Sequence, residues 1–412
     1  MADIKPFRAI RPRQDFSSRI AALPYDVYNR EEAKAEVLKE PYSFLKIDRA
    51  ETQFPDEVDT YDSKVYQKAH DILQNMIAEE SFIQDKEEAY YLYELTMNGR
   101  VQTGIVACAS SNDYETCIIK KHENTRADKE IDRIKHVDVC NAQTGPIFLA
   151  YRARKVLNEI VEETKKDSPL YDFVSNDGIR HRVFIIKSSL NVEKIRKEFS
   201  QINEIYIADG HHRCASAVKV CQMRREKNSK HTGSEEYNYF LSVLFPDEQL
   251  MIMDYNRVVK DLNGLSKEEL LLKIEENFNV TRMGANQVSP KRKGEFGMYV
   301  ENEWYQLQAK SNILDQDAVE GLDVSILQKY LLAPILGIGD SKTDQHIDFV
   351  GGIRGLEELE KRVHTDCQVA FSMYPTSIAE LFAVADDNRL MPPKSTWFEP
   401  KLRSGLFIHD IS

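Results

Sequence analysis

Between Ile205 and Ala217 the chain reads IYIADGHHRCASA. The apolar run ends at Ala208, and Asp209-Gly210 permits a tight turn at little steric cost. His211, His212 and Arg213 then open a helix of small residues. This pattern predicts a strand, a turn and a helix whose first N–H groups face outward as an anion site. Arg213 adds a fork of donors that matches phosphate geometry. Asp209 offers a carboxylate to Mg²⁺ or to a hydroxyl, and His211 or His212 a donor to a phosphate oxygen. A turn around one buried histidine is the plainer reading, but four polar residues at a strand-to-helix turn outweigh it. Adjacent histidines point in different directions, and no H-x-x-x-H or H-E-x-x-H is present, so a zinc hydrolase is disfavoured.

Three further segments carry groups that suit the same chemistry. In LPYDVYNREEA, Pro24 keeps Leu23 extended and Asn29 caps a helix beginning at Arg30. Glu31 and Glu32 complement the helix dipole and need no other role, whereas Asp26 stands in the extended stretch before the cap. In KKHENTRADKEIDRIKHVDVC, His122 and Glu123 follow a strand and Thr125 offers an oxygen. Lys129 and Arg133 lie four apart on one helical face, which a solvated surface with i,i+4 ion pairs explains equally well. In MPPKSTWFEPKLRSGLF, two prolines stiffen the approach to Lys394, Ser395 and Thr396, and Lys401 and Arg403 follow. No G-x-x-x-x-G-K-[ST] loop is present, and LGIGDSKTDQHIDFVGG lacks the strand–GxGxxG–helix arrangement of a dinucleotide fold.

The elements that must position these groups alternate. EAYYLYELTM and VQTGIVACAS flank Asn98-Gly99, a strong hairpin signal. HRVFIIK, NVEKIRKEFSQI, EIYIAD and RCASAVKVCQMRREK then read as strand, helix, strand, helix, which implies a mixed α/β layer. After Val259 the character changes to SKEELLLKIEENF, short strands around GEFGMYVENEWYQLQ, and a helix near DVSILQKYLL. The expected division is a phosphate-binding core with a hairpin insertion over residues 1–259 and a C-terminal α+β lobe over 260–412 that contributes the cationic loop.

Composition bounds the possibilities. The 412 residues carry 55 basic and 67 acidic side chains, a net charge of −12 that disfavours a general nucleic-acid binder. Six cysteines without a C-x-x-C pair predict reduced thiols. The start, MADIKPFRAI, lacks the apolar core of a signal peptide, and no stretch approaches a membrane span. The expected location is the cytoplasm, with no membrane partner; the oligomeric state stays open.

D-G-H-H-R followed by a small-residue helix resembles the phosphate-binding box of the ParB/sulfiredoxin-like superfamily, most closely that of its free-serine kinases. Over nearly its full length the chain resembles a bacterial and archaeal family of unknown function related to those kinases. The family's H-E-x-T and K-x-x-D-R strings are matched by His122, Glu123, Thr125, Lys129, Asp132 and Arg133, and its P-P-K-S-T-x-F-x-P-K string by Pro392 to Lys401.

The resemblance implies a ParB/sulfiredoxin-like nucleotide-binding core with a mixed sheet, α+β overall, and a second α+β lobe. It implies a kinase that passes a phosphoryl group from ATP or ADP, with Mg²⁺, to a small hydroxyl substrate, L-serine foremost. In those kinases a Pro-x-acid with an arginine downstream activates the hydroxyl. Asp26 then becomes the base, one methylene shorter than their Glu, and Arg30 a phosphate or carboxylate contact. Asp209, Gly210, His211, His212 and Arg213 would form the transfer site. His122, Glu123, Thr125, Lys129, Arg133, Lys394, Ser395, Thr396 and Lys401 would bind nucleotide or phosphate. Sulfiredoxins carry a cysteine where this chain has His211, so sulfinic-acid reduction is not implied. The alternatives are a ParB-like nucleotide switch without small-molecule kinase activity and a non-catalytic scaffold.

Overall fold

In the computed structural model, which describes residues 1–412, strand β1 (Ile4–Lys5) lies against a long hairpin, β2 (Tyr90–Met97) and β3 (Arg100–Ser110). Asn98 and Gly99 make the turn with φ of 51° and 80°, the left-handed values a two-residue hairpin loop needs. Six more strands join the hairpin: β4 (Ile119–Lys120), β5 (Ile147–Tyr151), β6 (Tyr171–Val174), β7 (Arg180–Ile186), β8 (Ile205–Asp209) and β9 (Tyr239–Pro246). The nine-stranded sheet runs β4-β8-β5-β9-β3-β2-β7-β6, with β1 off that path on β3. β8 is parallel to β4 and β9 to β5, while the remaining pairs are antiparallel. The mixed α/β layer implied by the alternating pattern is therefore present.

Helix α1 (Arg30–Lys39) begins at the Asn29 cap that the sequence signals, and α2 (Ser63–Ala78) and α3 (Ala127–Cys140) follow it. Asn29 and Glu32 form a reciprocal capping box on α1, each accepting the other's backbone N–H at 2.9 Å. Val37, Phe44, Leu45, Leu73, Met76 and Cys140 bury these segments in one apolar cluster. Helices α4 (Lys155–Thr164), α5 (Ser189–Phe199) and α6 (His211–Lys227) cover the sheet instead. Leu157, Ile160, Ile195, Phe199, Cys214 and Ala217 meet Leu92, Ile105, Leu149, Ile205 and Ile207 there. The small residues of α6 let it approach the strands closely.

The chain divides into one unit of residues 1–250 with 400–412 and a second of 251–399. This differs from a division at Val259 with everything beyond it in a second lobe. Strand β10 (Tyr255–Val259) belongs to the second unit's sheet, with β11 (Phe278–Gly284), β12 (Glu295–Val300), β13 (Glu303–Ala309), β14 (Ile347–Gly351) and β15 (Val369–Ser372). That sheet runs β11-β13-β12-β15-β10-β14. The tail from Pro400 returns to the first unit because Leu402, Leu406, Phe407 and Ile408 are buried. There Ser404 pairs with Ala22, Ile408 with Ile10, and His409 with Gln143. No helix is long and apolar enough to cross a membrane.

Candidate active site

The first unit places the box at the β8–α6 turn. Gly210 is the helix N-cap, with φ of 94° and no side-chain cap on the first N–H groups. Its glycine is required twice over: an added Cβ would adopt a left-handed conformation and sit 3.1 Å from the Arg213 guanidinium. Gly210→Ala is therefore expected to lower stability by about 1–3 kcal/mol, read as a shifted urea midpoint with an unchanged m-value.

Arg213 donates through Nη1 to the Pro146 carbonyl at 2.6 Å, and its Nη2 lies 3.7 Å from Asp209 Oδ2. Lys401, from the returning tail, approaches the same carboxylate oxygen at 3.5 Å. Burial by itself would raise the Asp209 pKa, but Lys401, Arg213 and His211 outweigh it and hold the carboxyl well below its usual range. Asp209 is thus an anion engaged by two cations. No group of three His, Cys, Asp or Glu residues assembles into a metal cage anywhere in the chain. With its one local carboxylate already paired, the box does not fit the Mg²⁺ role expected of Asp209.

The histidines are neutral at pH 7. Burial, then the neighbouring His122, pushes His211 well below the ordinary imidazole value. His122 falls to about 4, again chiefly through burial. The rings pack edge to face with centroids 4.5 Å apart, and the His122 backbone N–H donates to His211 Nε2 at 3.5 Å. His212 Nε2 accepts the Arg126 backbone N–H at 2.9 Å, and burial also lowers its pKa against the pull of Asp26 and Glu130. Each histidine of the box therefore keeps Nδ1–H as its one donor. His122 differs: its Nδ1 is buried without a partner, so it offers an acceptor and no charge for phosphate. Cys214 is buried and its pKa is raised by that burial, which keeps it a thiol.

The other segments approach this turn to different degrees. Asp26 is exposed in the turn before α1, within the electrostatic reach of His212. Arg49 fixes that turn by donating to the carbonyls of Tyr25 at 3.0 Å and Tyr28 at 2.6 Å. From α3, Arg133 stacks on the Tyr25 ring at 4.1 Å and pairs with Asp132 at 2.8 Å. Ser216 of α6 donates to the His212 carbonyl of its own helix at 2.7 Å and lies 3.2 Å from the Glu130 carbonyl, where α3 meets α6. Lys129 lies 3.4 Å from the Tyr61 hydroxyl, and Thr125 donates to Glu130 at 2.9 Å across the start of α3. Glu123 is half-buried between β4 and α3.

Arg30, expected as a phosphate or carboxylate contact, is engaged within the chain, with its Nε 4.0 Å from the Asp56 carboxylate. Its guanidinium donates to the carbonyls of Val58 and Pro55, which ties α1 to that loop. Lys394, Ser395 and Thr396 belong to the second unit. There Lys394 has φ of 58° and its carbonyl accepts from Arg257, while Ser395 donates to Pro392 at 2.6 Å.

A cavity of about 280 Å³, which no box residue lines, is bounded by Asp26, Asp48, Glu51, Lys129 and Arg133 among others. A smaller cavity of about 30 Å³, room for a water or two, is lined by Arg213, Gly145, Thr144 and Ser404. Tyr25, Asp48, Arg133 and His136 line both. Asp48, Arg49, Glu51, Gly145 and Ser404 had escaped sequence reasoning. Of these, only Gly145, in a Gly-Pro pair, carried a local signal.

The sequence profile described as "Protein of unknown function (DUF1015)" matches residues 4–325. The protein belongs to the DUF1015 family. No curated protein matches it significantly. Among solved structures, a free serine kinase variant in complex with AMP is 12% identical, with a TM-score of 0.36, over 73% of this DUF1015 chain and 92% of that one. A conserved hypothetical protein from Pyrococcus furiosus is 14% identical, with a TM-score of 0.35, over 75% and 95%. SbnI with a C-terminal truncation, from Staphylococcus aureus, is 11% identical, with a TM-score of 0.38, over 73% and 85%. At these values no residue role passes from them to the DUF1015 chain.

Proposed function

We propose that this DUF1015 protein is a small-molecule kinase that transfers a phosphoryl group from ATP or ADP to a hydroxyl substrate, with L-serine the first acceptor to try. The observation that carries the proposal is the β8–α6 turn. Uncapped helix N–H groups, Arg213 and Lys401 gather there, and the small cavity that Arg213 lines shares Tyr25, Asp48, Arg133 and His136 with the larger one that Asp26 lines. Phosphoryl transfer asks for this division of labour, positioning and charge stabilisation at one end and a base for the hydroxyl at the other.

In this reading the N–H groups of His211, His212 and Arg213, with the Arg213 and Lys401 side chains, hold the transferred phosphoryl group. Asp209 keeps both cations in place. The hydroxyl oxygen forms the new P–O bond as the bridging P–O bond to the nucleotide breaks. Asp26 receives the hydroxyl proton, and the nucleotide leaves shortened by one phosphate. The core then stands as a relative of the ParB/sulfiredoxin-like fold.

Purified protein incubated with ATP or ADP, Mg²⁺ and L-serine is expected to yield O-phosphoserine by mass spectrometry. Nucleotide binding or hydrolysis with no phosphorylated product, across a panel of amino acids, amino alcohols and sugars, would replace the kinase with a nucleotide switch.

A further inference from the structure

Asp48 follows no motif, yet it is 5% exposed and lines both cavities. Its Oδ1 accepts the Thr144 hydroxyl at 3.0 Å, and its other oxygen meets no donor in the chain. A largely buried carboxylate with an unused oxygen gains from an outside donor that completes it. The neighbouring cations are hydrogen-bonded to other carboxylates, although Arg133 also feels the Asp48 charge. Arg49 pairs with Glu51 at 2.5 Å and Arg133 with Asp132 at 2.8 Å, and Tyr66 donates to the second Asp132 oxygen at 2.9 Å. His136 donates to the Ile47 carbonyl at 3.1 Å, and burial lowers its pKa, so it adds no positive charge. Among the ionic groups lining the larger cavity this leaves Asp26, Asp48 and Lys129, and Lys129 stands beside the exposed Tyr61. Asp26, Asp48, Glu51 and Asp132 outnumber Arg49, Lys129 and Arg133 along the lining, so the cavity carries one carboxylate in excess, opposite in sign to the Arg213–Lys401 end of the site. A second phosphate would be repelled there, and a neutral polyol would leave Asp48 half-satisfied.

We infer that the larger cavity binds the protonated amine of the acceptor, and that Asp48 is the residue selecting amine-bearing hydroxyl compounds over their uncharged or acidic counterparts. This rests on the kinase reading for the word acceptor, but the recognition of an ammonium group does not depend on turnover. The phosphate-binding end and the amine-binding end would then fix the hydroxyl between them.

The test uses the full-length protein with L-serine, ethanolamine, D-glycerate and glycerol as probes, by calorimetry and by turnover with Mg²⁺-ATP and Mg²⁺-ADP. Serine and ethanolamine are expected to bind, with glycerate and glycerol at least 100-fold weaker. Asp48→Asn should raise Kd and KM for the amines at least 30-fold, with kcat and the nucleotide KM within threefold of wild type. If Asp48→Asn proves insoluble, Thr144→Val, which frees the Asp48 carboxylate from its one partner, should alter amine affinity at least fivefold without altering nucleotide affinity. Phosphorylation of glycerate as efficient as that of serine would overturn the inference and leave the kinase standing. Amine binding that depends on Asp48 without any phosphorylated product would overturn the kinase and leave the inference standing. Unchanged amine affinity in the folded variant would overturn the inference outright.

Discussion

Arg213→Ala is expected to reduce kcat/KM for phosphoryl transfer about 1,000-fold, the scale at which pre-positioned donors and arginines act on developing phosphate charge. Arg213 is held through both terminal nitrogens of its guanidinium, Nη1 on the Pro146 carbonyl and Nη2 near Asp209, and it fills the space beneath Gly210. It therefore reaches the transferred group without reorganising. Arg213→Lys should recover little, because a point charge cannot reproduce the fork that spans Pro146 and Asp209. The alanine variant leaves a buried carbonyl without its donor, so a loss of about 1–3 kcal/mol in stability accompanies it. Urea unfolding separates the two effects. A variant that stays folded at assay temperature yet retains more than a tenth of wild-type kcat/KM would remove Arg213 from the site.

The second large effect is expected at the other end. Asp26→Asn should lower kcat by about 10²–10⁴-fold, the usual contribution of a positioned base, while the nucleotide dissociation constant changes less than threefold. Asp26 is exposed, and its turn is fixed through the backbone by Arg49, so the amide substitution leaves the local fold intact. Single-turnover measurements isolate the chemical step from product release. Equal losses in nucleotide affinity and turnover would make Asp26 a structural residue. An unchanged single-turnover rate would move the base elsewhere, and buried His122, with its unpartnered Nδ1, is then the next group to replace.

Local signals made part of this molecule legible before its structure. Asn98-Gly99 specified the hairpin, Asn29 specified the start of α1, and Asp209-Gly210 specified the turn that carries the box. In each case a few consecutive residues set backbone angles or satisfy backbone donors, so the information is local. Asp48, Arg49 and Glu51 could not be found that way. They earn their roles only when the Tyr25–Tyr28 turn and α3 pack around them.

Lys401 shows the same limit from another side. Its place on Asp209 depends on the burial of Leu402, Leu406, Phe407 and Ile408 in the first unit, a tertiary preference that a cationic loop does not advertise. Arg30 matched the expected spacing and donates to two backbone carbonyls. Carbonyl acceptors leave no trace in side-chain sequence, so such a capture is invisible until the loop is folded. The net charge of −12 was likewise uninformative about the site, where two cations crowd the one Asp209 carboxylate.

The most direct measurement is a crystal structure of the protein with ADP bound. Its terminal phosphate is expected within hydrogen-bonding distance of the His211–Arg213 backbone N–H groups and of the Arg213 guanidinium. Phosphates bound away from the β8–α6 turn, with Arg213 still engaged only by Pro146 and Asp209, would contradict the assignment of this turn as the phosphoryl-transfer site.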